Sequence, residues 1–393
     1  MGRILNSLDL FSGIGGLTLA LTGVAKPLAY CDIEPNAIAV IRDNMASGNL
    51  PRAAISTDVR TLNRKWLNEN VSGKDSAPDA IVAGYPCTGF SLVGKRDGYQ
   101  NEQSGLFSEI CRIVDENKNI KFCFFENVSQ IVHDGMKTYV TELHKKRGFN
   151  LIWCVVEARE VGAPQRRKRW FSIAYRGELP PPVAFKAGGY APFTKQWVKE
   201  PDHRTICPGG IISPANKPSG ARKRASLLGN AVVPDCARYA FMHLMSTVAK
   251  SGSSLPITDK GKDISQKMPS SWPACGLVRG KKLHEIAHPV PLSLRPPLPI
   301  ILDGRLYTPP KGHQAKIILK PLRRRTKKDF WATPRASMVT AAQIMTARTS
   351  TDLPTQVRNE LYTPNAERGC PVSPEFIEWE MGYPRGWTKA AAL

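Results

Sequence analysis

Short apolar segments, each followed directly by glycine or an acidic residue, recur through the first 176 residues and most constrain the fold. Residues 4–10 read as a strand, 11–16 as a glycine turn and 17–24 as a helix. That order opens a nucleotide-binding half-sheet. Open α/β sheets bind ligands at the carboxyl ends of their strands. The sequence therefore predicts an α/β fold, with further strands ending near Asp32, Asp58, Gly84 and Glu126.

Cys87 follows the apolar run 79–83 in the sequence Gly84-Tyr85-Pro86-Cys87. Gly84 ends the predicted strand, and Pro86 restricts the backbone so that Cys87 projects from the strand's carboxyl end. A cysteine held there is a candidate nucleophile. Most free cysteines are simply small buried hydrophobic residues, and this segment alone does not exclude that interpretation.

Two acidic residues at predicted strand ends are candidate cofactor ligands. Asp32 lies roughly 20 residues past the glycine turn, a separation that suits an acid binding ribose hydroxyls. Glu34 is a second candidate, and N-capping of a helix over residues 35–44 explains Asp32 equally well. The turn has GxGG spacing rather than GxGxxG, so a dinucleotide is not favoured. Asp58 is placed to accept a hydrogen bond from an adenine amino group.

The net charge of +22, with an isoelectric point near 9.7, favours a polyphosphate partner such as a nucleic acid. Nine cysteines without a CxxC pair or a ligand-spaced histidine predict neither a disulfide framework nor a zinc site, and favour a reducing compartment. No apolar run approaches the length that spans a membrane. The first residues run straight into a predicted strand, so no signal peptide is expected.

Charged residues next to two buried strands are candidate catalytic groups. Glu126 ends the apolar segment 121–125, where a carboxyl group is costly unless it is paired or used. Four consecutive cations, residues 166–169, run directly into Trp170 and Phe171. A solvated charge run is the ordinary interpretation, but the attachment to an apolar strand favours a place in a cleft.

Five motifs stand in the order found in the cytosine-C5 DNA methyltransferases, which this chain resembles. They are Asp9-Leu10-Phe11-Ser12-Gly13-Ile14-Gly15-Gly16, Gly84-Tyr85-Pro86-Cys87, Phe125-Glu126-Asn127-Val128, Gln165-Arg166-Arg167-Lys168-Arg169 and Gly229-Asn230-Ala231-Val232-Val233-Pro234. The resemblance covers the first 240 residues closely. The segments beginning at Trp272, Trp331 and Ser373 look like the carboxyl-terminal region of phage-type and prophage-type members. Thr88 departs from the family, whose members usually carry Gln there.

The resemblance implies a Rossmann-like S-adenosylmethionine-dependent methyltransferase sheet with a second, smaller target-recognition domain. It implies DNA (cytosine-5-)-methyltransferase activity on a flipped-out cytosine in double-stranded DNA. Cys87 would form the covalent adduct, Glu126 would protonate the ring, and Arg167 or Arg169 would contact the base and a flanking phosphate. No metal is implied. The residues expected to bind S-adenosyl-L-methionine are Phe11, Gly13, Gly15, Asp32, Ile33, Asp58, Val59, Asn230 and Ala231.

Four regions are predicted along the chain. Residues 1–176 are the catalytic core, 177–222 a short connector, 223–252 a return to the core, and 253–393 a basic target-recognition region. The last region carries about half of the net positive charge, most densely over residues 320–328. It is assigned to recognition because the segment between Phe171 and Arg222, where most family members keep a large reader, is short and rich in Pro and Gly.

Alternatives remain at this level. The same motifs would serve an RNA cytosine-C5 methyltransferase, and a catalytically silent DNA-binding protein could keep the same fold. A small-molecule nucleotide methylase would have no use for the charge. The chain is expected to be monomeric, with a cognate restriction endonuclease as a candidate partner. Its expected location is the cytoplasm, beside the nucleoid, if it is prokaryotic or from a phage, and the nucleus or a virus factory if it is from a eukaryotic virus.

Overall fold

The computed structural model describes residues 4–71, 73, 77–86, 105–163, 165, 167–177, 220–249, 261–289, 300–302, 305–307 and 373–392. The strands in chain order are β1 Leu5–Leu10, β2 Ala25–Cys31, β3 Ala54–Ser56, β4 Ala80–Ala83, β5 Phe122–Val128, β6 Asn150–Glu157, β7 Lys168–Tyr175, β8 Lys262–Asp263, β9 Gly276–Arg279, β10 Lys282–Glu285, β11 Ile300–Leu302 and β12 Arg305–Tyr307.

The helices lie between these strands in the order expected of an α/β chain. They are α1 Gly16–Ala20, α2 Pro35–Ala46, α3 Arg64–Asn70, α4 Leu106–Glu116, α5 Ile131–Asp134, α6 Met136–Tyr139, a π-helical turn Val140–Lys145, a 3₁₀ turn Ala158–Val161, α7 Gly220–Asn230, α8 Pro234–Ala249, α9 Pro374–Met381 and a 3₁₀ turn Lys389–Ala392. No helix in these parts of the chain is long and apolar enough to cross a membrane.

Ten strands form one sheet in the order β3-β2-β1-β4-β5-β7-β6-β9-β10-β8. The first five strands in this order are parallel to one another. Strand β7 lies between β5 and β6 and is antiparallel to both. Strand order reverses between β1 and β4, so the carboxyl ends of these neighbouring strands border a crevice. This mostly parallel sheet confirms the predicted α/β methyltransferase fold.

Successive side chains of the central strands point to opposite faces of the sheet, and both faces are buried. Val82 and Phe124 belong to one apolar cluster, whereas Ile81 and Phe125 belong to the other. Helices therefore cover both faces, as the continuous apolar runs in β4 and β5 predict. Burying a phenylalanine such as Phe124 completely contributes about 1.5–3 kcal/mol.

Residues 261–289 extend the main sheet instead of forming part of a separate domain. Strand β9 pairs with β6 at the sheet edge, and β10 and β8 continue beyond it. The Trp272 ring packs against Trp153 of β6, with 6.2 Å between ring centroids. Apolar side chains of this segment, which lies within the predicted target-recognition region 253–393, are thus buried in the core of the sheet, and the role of that region stays a prediction.

Residues 373–392 also belong to the catalytic core. Phe376, Tyr383 and Trp387 are fully or almost fully buried in the same cluster as Leu17 and Val232. This segment, the end of the predicted region 253–393, therefore packs into the core beside the glycine turn. The basic run 320–328, and most of the connector 177–222, lie outside the described residues, so their predicted roles stay predictions.

Candidate active site

The glycine turn after β1 has a backbone that only a few residue types adopt easily. Phe11, Gly13 and Gly15 have φ angles of 54°, 52° and 81°. Such angles cost a non-glycine residue such as Phe11 on the order of 1–3 kcal/mol, so the surroundings must hold the turn in place. The Ser12 hydroxyl does this by donating to the Asp9 carbonyl at 2.6 Å and accepting from the Cys31 backbone N–H at 3.0 Å.

The three glycines of the turn serve different purposes. A Cβ added at Gly13 would have no atom within 4 Å, so this face is open to a ligand. A Cβ at Gly15 would lie 2.6 Å from Leu50 Cδ1, and one at Gly16 would collide with the Tyr383 hydroxyl. Gly15 and Gly16 therefore allow close packing, whereas Gly13 leaves room for a bound molecule.

Asp32 lies directly after β2 and faces the turn. It accepts from the Gly13 backbone N–H at 2.7 Å and from the Glu34 N–H at 2.9 Å. Burial raises the pKa of Asp32 against these hydrogen bonds. The N-cap of α2 is Glu34, whose side chain accepts from Asn36 N–H at 3.2 Å. The alternative in which Asp32 caps this helix is therefore wrong.

The other predicted cofactor residues on this side lie at successive strand ends. Ile33 is 69% exposed next to Asp32, an unusual position for a large apolar side chain. Asp58, after β3, pairs with Arg60 at 3.0 Å, and that hydrogen-bonded pair lowers the pKa of Asp58. Val59 is buried, and its carbonyl accepts from Arg112 at 3.0 Å.

The segment that leads to Cys87 is held firmly up to its last described residue, Pro86. The Tyr85 ring packs between Phe107 and Phe125, with centroids 5.0 and 5.9 Å away. The Asn127 side chain donates to the Tyr85 carbonyl at 3.0 Å. Asn127 thus ties the end of β5 to the segment after β4. Cys87 itself lies outside the described residues.

Six of the nine cysteines are buried in the described parts of the chain. Burial raises the pKa of each, to about 12 for Cys31 and about 11 for Cys275. Since the thiolate is the nucleophilic form, these six are poor nucleophiles at neutral pH. The remaining three, Cys87, Cys207 and Cys370, lie outside the described residues; Cys87 comes shortly after β4, which ends at Ala83.

Glu126 lies near the end of β5, and its Oε1 is 3.0 Å from Arg169 Nε on β7. Burial raises the pKa of Glu126, with Arg169 and Arg167 opposing the rise. A Cβ added at Gly84 would lie 3.4 Å from Glu126 Oε2, so the carboxyl group borders the segment before Cys87. The structure therefore brings Glu126 and Arg169 together at the edge of the sheet where β1 and β4 end.

Arg167 has a different environment from Arg169. It is 3% exposed, and its Nη2 donates to the carbonyls of Gly229 at 3.2 Å and Ala231 at 2.6 Å. Burial and the nearby Arg169 lower the pKa of Arg167 to about 9, so it remains a cation at neutral pH. In this arrangement Arg167 fastens the turn after α7, where Asn230 is exposed and Ala231 is half-buried.

Several polar groups near the site were missed by sequence reasoning. Asp9 is buried beneath the glycine turn, accepts from the Thr18 hydroxyl, and has its pKa raised to about 7 by burial. The carboxyl-terminal residues Tyr383 and Trp387 donate to the carbonyls of Val232 and Ile14. Asp9 is part of the first methyltransferase motif, so the sequence did indicate that it lies near this site. Nothing in the sequence around Tyr383 and Trp387 indicated that they contact the same site.

Comparison with known proteins identifies the family. The family model described as C-5 cytosine-specific DNA methylase matches residues 5–206, slightly more than half of the chain. The chain belongs to this family. It is therefore a member of an enzyme family, the DNA cytosine-C5 methyltransferases. The match takes in Gly13, Asp32, Cys87, Glu126 and the arginine motif.

The relatives differ in how much of the chain they resemble. The Type II methyltransferase M.CviJI of Paramecium bursaria Chlorella virus IL3A is 27% identical over 383 residues, 96% of each protein. The Type II methyltransferase M.HhaI of Haemophilus parahaemolyticus is 32% identical over 178 residues, 44% of this chain and 50% of that protein. Dnmt2 methyltransferase of S. pombe overlaps 44% of this chain and 53% of its own, at 24% identity and a TM-score of 0.35.

Proposed function

We propose that this chain transfers a methyl group from S-adenosylmethionine to C5 of cytosine in double-stranded DNA, through a covalent adduct with Cys87. The observation that carries the proposal is the carboxyl group of Glu126, whose side chain is only 14% exposed. It lies beside Gly84 of the Cys87 segment and is paired with Arg169. An acid with a raised pKa next to a nucleophile is the arrangement that addition to a pyrimidine ring requires.

The glycine turn fits S-adenosylmethionine. Gly13 leaves open space, Asp32 keeps unused lone pairs for ribose hydroxyls, and the exposed Ile33 offers an apolar surface to an adenine. Phe11, Gly15, Asp58, Val59, Asn230 and Ala231 complete the proposed cofactor set. When bound, the cofactor would supply an electrophilic methyl group on a sulfonium ion. Net positive charge serves the other substrate, DNA.

The chemistry follows from what the chain's residues can do. The Cys87 thiolate would bond to C6 of the cytosine, and the electron pair displaced from the ring would be met at N3 by the proton of Glu126. C5 becomes nucleophilic and takes the methyl group. A base then removes the C5 proton, the Cys87–C6 bond breaks to restore the thiolate, and N3 returns its proton to the Glu126 carboxylate. Arg169 would hold Glu126 in place and contact the base, whereas the buried Arg167 would hold the Gly229–Ala231 turn beside the site.

Base flipping is part of the proposal. C6 and N3 of a stacked, paired cytosine are not accessible to side chains at the sheet edge, so the nucleotide must leave the duplex. The family relatives are named Type II methyltransferases, which supports a role in restriction–modification. We also propose that the protein is a monomer and that it acts wherever its DNA lies. A cognate restriction endonuclease is its proposed partner.

A trapping experiment tests the nucleophile and the substrate together. Duplex DNA and matching RNA carrying 5-fluorocytosine are incubated with protein and S-adenosylmethionine, then separated under denaturing conditions. Fluorine cannot leave C5 as a proton does, so the adduct should persist on DNA. Cys87→Ser should form none, whereas Cys275→Ser, which changes a buried thiol just before β9, should form it as the wild type does.

The outcomes discriminate the alternatives. An adduct on RNA alone would favour an RNA methyltransferase. A protein that binds DNA but forms no adduct and transfers no methyl group would be catalytically silent. An adduct that survives in Cys87→Ser would assign the nucleophile to a different cysteine.

A further inference from the structure

The last segment of the core, residues 373–392, is here called the C-terminal clamp. Its helix α9 ends at Met381 and is followed by Gly382, whose φ of 80° lets the chain turn back. The chain then runs through Tyr383 and Trp387, whose rings pack 5.6 Å apart, to the final 3₁₀ turn. The clamp buries its aromatic side chains in the cluster that also contains Ile14 of the glycine turn.

A buried ion-pair network holds the clamp in one conformation. Arg224 of α7 donates to Glu375 at 2.7 Å, to Glu378 at 3.1 Å and to the Thr388 hydroxyl at 2.9 Å. Glu378 is fully buried and also accepts from the backbone N–H groups of Gly386, at 2.7 Å, and Thr388, at 2.8 Å. Glu378 is thus well compensated, and both ends of the clamp are fixed to α7.

Hydrogen bonds join the clamp to the segments that form the proposed site. Trp387 Nε1 donates to the Ile14 carbonyl at 2.8 Å. Tyr383 donates to the Val232 carbonyl at 2.9 Å, next to Ala231. Gln165, close to Arg167, donates to the Glu380 carbonyl at 3.0 Å.

The bond at Ile14 has the greatest consequence for a ligand. Ile14 is buried between Gly13, whose N–H is bonded to Asp32, and Gly15, and both glycines have positive φ angles. The peptide at Ile14 therefore sets the direction of the Gly13 face that is open to a ligand. Without the Trp387 indole, the buried Ile14 carbonyl would lose this donor, which would destabilise the conformation of the turn.

We propose that Trp387 is a positioning residue for the cofactor: its indole N–H holds the glycine turn in the conformation that binds S-adenosylmethionine. The inference rests on the proposed function, since it requires this turn to be the cofactor site. The clamp then acts on cofactor affinity rather than on the chemistry at the cytosine, because Trp387 contacts neither the base site nor Glu126 through any described hydrogen bond.

The test uses the full chain with Trp387→Phe, which keeps an aromatic ring in the cluster and removes the N–H donor. Trp153→Phe is the matched control. It also removes a buried indole donor, which binds the Pro273 carbonyl at 3.0 Å, but it lies in the cluster on the opposite face of the sheet. Binding of S-adenosylmethionine and S-adenosylhomocysteine is measured by calorimetry, with thermal unfolding alongside.

Trp387→Phe should raise the Kd and KM for S-adenosylmethionine roughly tenfold, as the loss of about 1.4 kcal/mol implies, with kcat changed much less. Trp153→Phe should lower Tm to a similar extent and leave Kd unchanged. Equal Kd values for wild type and Trp387→Phe would overturn the inference, and so would an equal rise in Trp153→Phe.

A second variant keeps the inference testable if Trp387→Phe does not fold. Tyr383→Phe removes the bond to the Val232 carbonyl and should weaken cofactor binding less than Trp387→Phe, while an unchanged Kd in a folded Tyr383→Phe would count against the clamp. If the wild-type protein itself binds neither S-adenosylmethionine nor S-adenosylhomocysteine, the proposed function fails, which is a separate result from a variant that binds as the wild type does.

Discussion

The substitution Glu126→Gln removes the transferable proton of the side chain but keeps its size and shape. Gln is nearly isosteric and can still donate a hydrogen bond to N3, but it cannot transfer a proton. Positioned acid catalysis is worth about 10²–10⁴ in rate, or about 3–5 kcal/mol at 1.36 kcal/mol per tenfold. Arg169 lies 3.0 Å from the carboxyl group and can still stabilise charge on the ring. We therefore expect a loss in the lower part of that range, about 10²- to 10³-fold.

The pH dependence of the methyl-transfer rate tests whether Glu126 acts as an acid. The carboxyl group must be protonated to act, and burial raises its pKa, so the active form persists to a higher pH than for an exposed glutamate. The wild-type rate should fall as pH rises through that raised pKa, and Glu126→Gln should lose this fall on the alkaline side.

The assay is transfer of a radiolabelled methyl group to duplex DNA between pH 6 and 9, with DNA affinity measured separately. Glu142→Gln is the control, because Glu142 is also a partly buried carboxylate paired with an arginine, Arg147, at 2.9 Å, but lies on the π-helical turn away from the site. It should change neither rate nor profile. A Glu126→Gln enzyme with wild-type turnover across this range would remove Glu126 from the mechanism.

Two predictions concern DNA recognition. Replacing residues 290–372 with the corresponding segment of a relative of known specificity should transfer that specificity while the core still folds; a chimera that methylates the original sites, mapped by bisulfite sequencing, would place recognition elsewhere, for example in residues 177–219. Changing Arg323, Arg324 and Arg325 together to Ala should weaken binding to all DNA sequences alike, because phosphate contacts carry no sequence information. The salt dependence should flatten by up to roughly 0.9 of slope for each phosphate that the protein no longer neutralises. Weaker binding at one sequence only would contradict this.

Local sequence signals were sufficient to predict the strands and their polar ends. The apolar runs before Asp32, Gly84 and Glu126 are short and continuous, so each strand could be placed without knowledge of its neighbours, although β5 continues past Glu126 to Val128. The resemblance to the methyltransferases added the expected roles. Whether Asp32 caps the following helix could be decided only from the structure, in which the N-cap of α2 is Glu34.

The carboxyl-terminal third was harder to predict because its contacts are distant in sequence. Trp272 and Trp387 are apolar side chains in a basic region, and composition alone cannot say which surface covers them. The structure answers this by placing both in the core. Removal of everything after residue 252 would therefore strip strands and a buried helix from the enzyme, and replacement of 290–372 is the better test.

The bond between Trp387 and Ile14 joins residues 373 positions apart, which has a consequence for synthesis. At about 5–20 residues per second, the glycine turn leaves the ribosome roughly 20–75 s before its tryptophan partner exists. Contacts of such long sequence range are also slow to form, since the loop entropy is lost before they can stabilise anything. A nascent chain that already holds Cys87 and Glu126 would thus lack this donor to the glycine turn, and the proposed cofactor site would take its final form only after Trp387 has emerged.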